Sequence, residues 1–404
     1  MLEEHPLAHA CTLSNSTVRF CFTLSSDNNA GSEGGVAVAG ALVMNSTLTS
    51  LAFRRNAVGT AAASAIAAEI ELNRALVFLD LEENHLGPWF GRRLADSLHT
   101  NAVLSTLMLG RNELGHEKRE AQNAAVRLPP VLAGRALAAV LQRTSSAITH
   151  LDLGTNRLGP RAGVAIASML EAEGCVVSTL LLPHNLLGPE AGERLAKSML
   201  RNSLVTALDL GHNAIGTEAG VVLAEVIKRS ISLTSLNLEH NELGPRAGVP
   251  VLRALQENVS LTALDLASNA IGPKCTPLLS AVFSQNNASE SVLRHADLSN
   301  NDLGADSFAA AVTLAHAVGS NRSLVYLKLD CNRLGRHAGV AFASALHTNR
   351  TLEVRLFALI SHTDDAKTHI VLHPTCRYYR WPTTVLMQRS VLHFLGRWHK
   401  TRYE

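Results

Sequence analysis

Five aspartates, Asp80, Asp152, Asp209, Asp265 and Asp297, each stand four residues ahead of an asparagine, and Glu82, Glu239 and Asp330 stand two ahead of one. Arg54 and Lys328 are the bases at those offsets, so the two columns hold eight acids against two bases. Acids gathered on one surface focus the field and draw cations. The partner they imply is a protein with a basic surface. The opposing reading is a recurring polar strand position that keeps a sheet soluble. One place ahead of three successive asparagines stand His184, His212 and His240. On neighbouring strands, about 4.8 Å apart, such imidazoles would stack within reach of a metal. The pattern offers no fourth ligand and no supporting shell, so no metal site is assigned. No H-E-x-x-H, G-x-S-x-G or EF-hand loop occurs, and Asp364-Asp365 is an isolated acidic pair. Without a nucleophile–base set the expectation is a noncatalytic chain with no cofactor.

These columns have meaning only if a repeated element positions them. The asparagines that define them are Asn56, Asn84, Asn112, Asn156, Asn185, Asn213, Asn241, Asn269, Asn301 and Asn332. Their spacings are 28, 28, 44, 29, 28, 28, 28, 32 and 31. Each is followed by Leu, Ile or Val at the second place and Gly at the third. A fixed period of this length marks a stack of supersecondary units, ten to eleven here, whose common core grows lengthwise.

Within a unit, leucines bracket a short strand ahead of the asparagine: Leu79/Leu81, Leu107/Leu109, Leu151/Leu153, Leu180/Leu182, Leu208/Leu210, Leu236/Leu238, Leu264/Leu266 and Leu327/Leu329. Alternation sends these inward and the acids outward. One strand per unit, always in the same direction, makes a parallel sheet. At the turn the main chain leaves the ladder, and its inward groups need partners. An Asn amide carries a donor and an acceptor and supplies both, so the asparagines should form a buried ladder. Gly then allows a left-handed bend, and Pro88, Pro160, Pro189, Pro245 and Pro273 begin a helix where no N–H is needed. The pairs Leu94/Leu98, Ile166/Leu170, Leu195/Met199, Leu223/Ile227 and Phe342/Leu346 give each helix one apolar face. Eleven residues ahead of the turn stand Asn45, Asn73, Asn101, Asn202, Asn258 and Asn321, with Gly174 in the same column. They are expected to end the helices in a left-handed conformation. Asn45, Asn258 and Asn321 therefore read as caps, although each lies in an N-x-[ST] sequon. Helices about 10 Å wide facing strands about 4.8 Å apart would curve the stack, strands concave and helices convex.

The expected organisation is an irregular or capping segment at 1–28, an α/β solenoid over 29–356 and a nonrepeat tail at 357–404. Asn29 heads a degenerate first unit in which Ser26 replaces a strand leucine. The long spacing after Asn112 places a charged insertion at 116–131, ending in Pro-Pro. An eleventh turn asparagine is due at Ile360 and is missing. Over 361–404 seven Lys/Arg stand against three Asp/Glu, with three of the four tyrosines and two of the three tryptophans. That tail reads either as a cap or basic interaction tail or as a poorly ordered segment. The whole chain carries +2, which points to neither nucleic acid nor membrane. No 18-residue apolar stretch occurs, and the first residues lack the basic start and apolar run of a signal peptide. Six cysteines without a C-x-x-C pair fit a reducing compartment, so an intracellular, cytoplasmic location is expected.

Read from LTALDLASNAIGP and ALDLGHNAIGTEAGVVLAEV, the unit resembles the ribonuclease-inhibitor-like class of leucine-rich repeats, over about residues 29–356. That class occurs in ribonuclease inhibitor, in the repeat domains of NOD-like receptors and in RanGAP-type GTPase activators. The resemblance implies a horseshoe with strands on its concave face and a protein-binding role. The chain lacks the cysteine richness of ribonuclease inhibitor, the acidic tail of RanGAP and the G-x-x-x-x-G-K-[ST] of a complete NOD-like receptor. The expected function is a protein–protein interaction scaffold using the concave face and its loops. The alternative is a RanGAP-type GTPase-activating or other regulatory repeat protein.

Overall fold

The computed structural model describes residues 20–23, 28–115, 133–143, 146–284, 292–304, 308–352 and 354–356, with main chain alone at 20–23 and 354–356. The insertion at 116–131, the tail at 357–404 and Ser26 lie outside the described residues. The strands are β1 (Phe20–Thr23), β2 (Leu48–Ala52), β3 (Phe78–Asp80), β4 (Thr106–Met108), β5 (His150–Asp152) and β6 (Thr179–Leu181). They continue as β7 (Ala207–Asp209), β8 (Ser235–Asn237), β9 (Ala263–Asp265), β10 (His295–Asp297), β11 (Tyr326–Lys328) and β12 (Val354–Leu356). The helices are α1 (Gly31–Met44), α2 (Gly59–Leu72), α3 (Gly87–Leu98), α4 (Ala133–Leu141), α5 (Gly159–Leu170) and α6 (Gly188–Met199). After them come α7 (Gly216–Arg229), α8 (Gly244–Glu257), α9 (Thr276–Ser284), α10 (Phe308–Ser320) and α11 (Gly335–Thr348). Strand and helix alternate without exception among the described residues. The strands form one parallel sheet in chain order. This is the solenoid that the period demands. β1 lies inside the segment 1–28 and pairs with β2 through an irregular register.

Each strand's leucines and each helix's apolar face meet in one continuous core running from Ala39 to Leu352. Each of the eight leucine pairs is at most 4% exposed. A buried leucine contributes about 1.5–3 kcal/mol, so stacking dominates the favourable side. Prolines open α3, α5, α6 and α8 as expected, while Pro273 opens a single 3₁₀ turn, Pro273–Cys275, ahead of α9. Cys175 and Cys275 are free and buried, and burial pushes the Cys275 thiol up to about 12, as fits an inert packing group.

The ten turn asparagines are at most 2% exposed. Asn84 shows the arrangement. Its Oδ1 accepts the Asn56 N–H at 2.9 Å, and its Nδ2 donates to the carbonyls of Phe53 at 2.7 Å and Leu81 at 3.0 Å. The same bond from one asparagine N–H to the next Oδ1 runs unbroken to Asn332. Asn28, one period ahead of Asn56, holds the equivalent place in the first unit. The Ala30 N–H reaches Asn56 Oδ1 at 3.4 Å, and Asn29, expected to head that unit, is the residue after the turn.

The helix-ending asparagines differ from expectation. Asn45, Asn73, Asn258 and Asn349 have φ between −93 and −70 with ψ between 109 and 135, an extended conformation. They act through their side chains instead. Asn73 Oδ1 accepts the N–H groups of Ala75 and Leu76, and its Nδ2 donates to the Leu42 carbonyl of the preceding helix at 2.9 Å. Asn101, Asn202, Asn258, Asn321 and Asn349 likewise reach back to the helix before. The left-handed residues lie beside the turn asparagine: Arg55 and Ala57 at φ 55 and 50, and the same pair in each later unit. Gly at the third place follows at φ 66 to 79 in most units, as expected.

Candidate functional site on the strand face

Residues two places ahead of the acidic column on the same strands, among them Phe78, His150, His295 and Tyr326, are half-buried or exposed, so the outer face of the sheet reaches solvent. On that face the acids occupy the columns that alternation assigns, but most are not freely exposed. Asp80, Glu82, Asp152, Asp265 and Asp297 are at most 4% exposed and Asp209 is 9%, while Glu239 and Asp330 are half-buried.

The reason is local hydrogen bonding. Each strand ends at the aspartate, and the N–H two residues on turns to that side chain. Asp80 Oδ1 accepts from Glu82, Asp152 from Gly154, Asp209 from Gly211, Asp265 from Ala267 and Asp297 from Ser299, at 2.6–3.0 Å. Asn237 does the same for Glu239 at 2.8 Å. In the unit of β6 the column holds Leu181, which cannot accept, and the residue two places on is Pro183, which has no N–H. The aspartate column is therefore a turn device as well as a row of acids.

The charge it carries is handled differently along the sheet. Arg54 reaches Asp80 at 3.6 Å and contacts Glu82. Arg55, Glu83 and Arg111, in the column just ahead of the turn, alternate in sign and touch in sequence. Burial works against the Glu83 charge, but the hydrogen bonds from Arg55 and Arg111 outweigh it and hold the carboxyl below its ordinary range. At the other end Lys328 lies 3.3 Å from Asp297 and 4.0 Å from Asp330. Burial, then the neighbouring charges of Asp297 and Glu239, push Asp265 well above the usual carboxylate range.

His184, His212 and His240 stack as their spacing implies. Ring centroids lie 4.0 and 4.8 Å apart, with planes 14° and 25° from parallel. Near-parallel rings aim their nitrogens side by side rather than at one point. No group of three or more His, Cys, Asp or Glu among the described residues is placed to hold a metal. Burial, then the His212 charge, lowers His184 to about 4, so that ring is neutral at physiological pH. His212 Nε2 lies 3.5 Å from Glu239, joining the imidazole row to the acidic columns.

The family described as Leucine Rich repeat matches residues 45–67, 201–224, 229–251 and 257–274. The chain carries leucine-rich repeats and folds as a leucine-rich-repeat solenoid. Among solved structures it is similar to the leucine-rich repeat-containing protein LegL7 from Legionella pneumophila, at 17% identity, covering 81% of this chain and 97% of that one with a TM-score of 0.45. It is also similar to a chain of the yeast Rad7 and Elc1 complex, at 12% identity, covering 76% and 75% with a TM-score of 0.42. The tropomodulin C-terminal domain of Caenorhabditis elegans matches at 14% identity, covering 38% and 92% with a TM-score of 0.31. No curated protein sequence matches. No helix of the described residues is long and apolar enough to cross a membrane.

Proposed function

We propose that the chain is a noncatalytic scaffold that holds a protein partner on the outer face of its sheet and the loops bordering it. The observation that supports this is the contrast between the two faces of the strands. The inner face is nearly uniform leucine, whereas the outer face varies from unit to unit and reaches solvent. A surface built of strand-borne side chains at fixed spacing suits an extended partner better than a small molecule. A helix after each turn and a unit of about 28 residues support the ribonuclease-inhibitor-like class of repeat.

The test is capture of proteins from cell extract by the immobilised chain, quantified against two variants. Ala207→Arg places a bulky charge in the middle of the outer strand face. Arg253→Glu changes the exposed side of α8. Partners retained by the helix variant and lost by the strand variant are the expected result. Equal retention by both would remove the strand face from the function.

A further inference from the structure

The strands β8 to β11 carry more than an acidic column. Along the row two residues ahead of the turn stand Glu239, Ala267, Ser299 and Asp330, each two places past the end of one of four successive strands. The ends of this row are carboxylates and its middle two members are short. Beneath it lie Asp265 and Asp297, paired in register. Successive strands lie about 4.8 Å apart, so Glu239 and Asp330 are separated by about 14 Å. That width suits one long side chain entering between them.

Two buried oxygens within this patch have no hydrogen-bond partner. Asp265 uses Oδ1 for the Ala267 N–H, while its Oδ2 bonds to no protein atom. Ser299 Oγ, on the next strand, is likewise unpartnered. Asp265 is 3% and Ser299 2% exposed. A buried polar group left without a partner is costly, so both favour an incoming donor.

The chain shows the mode of occupancy elsewhere on the same face. Arg54 spans Asp80 and Glu82, and Lys328 spans Asp297 and Asp330. In both cases a basic side chain bridges an acid four ahead of the turn and an acid two ahead of it. Asp265 and Glu239 present acids from the same two columns on neighbouring units, here with the two-ahead acid on the earlier one and the short Ala267 beside them.

We infer that the patch of Glu239, Asp265, Ala267 and Ser299 receives one lysine or arginine side chain of a protein partner, which donates to Asp265 Oδ2 and Ser299 Oγ. This rests on the strand-face reading above and names the chemical group that face selects. A cation at Asp265 favours its ionised form, against the burial and the neighbouring acids that raise its pKa. Affinity consequently rises with pH above the ordinary carboxylate range.

The full chain is to be panned against random dodecapeptides displayed on phage, with the enriched peptides synthesised and titrated. Enrichment of lysine or arginine is expected, with affinity falling by about tenfold or more on Asp265→Asn and on Ala267→Lys, which supplies a cation from within. Calorimetry in buffers of different ionisation enthalpy should show proton release for the natural chain and none for Asp265→Asn. Circular dichroism confirms that both variants fold. Peptides without basic residues, or equal affinity for the natural chain and Asp265→Asn, overturn the inference. If such peptides are still lost on Ala207→Arg, strand-face binding itself survives.

Discussion

The two ends of the strand face are built on the same turn and carry opposite electrostatics. Between β2 and β4, Arg54 covers Asp80 and Glu82, and Arg55, Glu83 and Arg111 alternate in sign, so the charges are matched within the chain. Between β8 and β11, Glu239, Asp265, Asp297 and Asp330 share the two columns with Lys328, and burial and neighbouring acids push the Asp265 carboxyl well above the usual carboxylate range. The repeat sets where a side chain stands. It does not set which charge stands there. One end is closed upon itself, while the other has acid in excess.

The largest effect tests whether the frame is in fact shared. Asn84 and Asn269 make nearly matching sets of bonds: each accepts one N–H at 2.9 Å and donates to three carbonyls within 3.2 Å, and Asn269 also accepts the Leu243 N–H at 3.4 Å. Asn84→Ala and Asn269→Ala should each cost about 3–5 kcal/mol in urea denaturation, because several buried groups lose their partner. A difference well above about 1 kcal/mol between them would break the comparison at its base.

Next in size is Arg54→Met, which leaves Asp80 and Glu82 buried without their cation. We expect a loss of about 2 kcal/mol near neutral pH, shrinking as the solution becomes acid and the two carboxyls protonate. A loss independent of pH would mean that Arg54 acts through packing alone.

Asp265→Asn should act in the opposite direction. The Asp265 pKa is raised on folding, so the folded state binds a proton that the unfolded chain releases. Its presence therefore lowers stability as pH climbs from the ordinary carboxylate range through the raised value. The amide removes that slope, with a gain on the order of 1 kcal/mol at pH 7–8 and little change at acid pH. Thermal melts across pH would show parallel curves if Asp265 were not electrostatically loaded.

The smallest effect is Glu83→Gln. Here the folded pKa is depressed, so the stabilisation is present above the ordinary carboxylate range and disappears as pH falls through the folded value. The loss should be about 0.5 kcal/mol at neutral pH and none in strong acid, as suits a partly exposed pair. Melts in high salt should reduce it further.

Much of the scaffold could be read from residue types because the constraint acts on type. Leucine fills most of the inner face, only an amide serves the turn, and proline marks helix starts such as Pro160 and Pro189. What escaped was conformation without compositional preference. Arg55, Glu83, Thr155 and His212 share a left-handed main chain at φ 55 to 57, although their types have nothing in common. The buried asparagine beside each imposes it, against a cost of about 1–2 kcal/mol per residue. The helix-ending asparagines are legible by position but not by conformation, because Asn serves both left-handed and side-chain caps. The aspartate column was legible as acidic but not as a turn acceptor. The clue was present in the pairing of Leu181 with Pro183, where acceptor and donor are absent together.

At each turn the reaching amide belongs to the later unit: Asn84 serves the N–H of Asn56 and the carbonyl of Phe53, and Asn332 serves Asn301 and Leu298. Seen from the ribosome, each loop from Asn56 to Asn301 emerges with the asparagine N–H and one strand carbonyl still unanswered, and these are met only when the next unit has followed. Synthesis and closure thus proceed in the same direction.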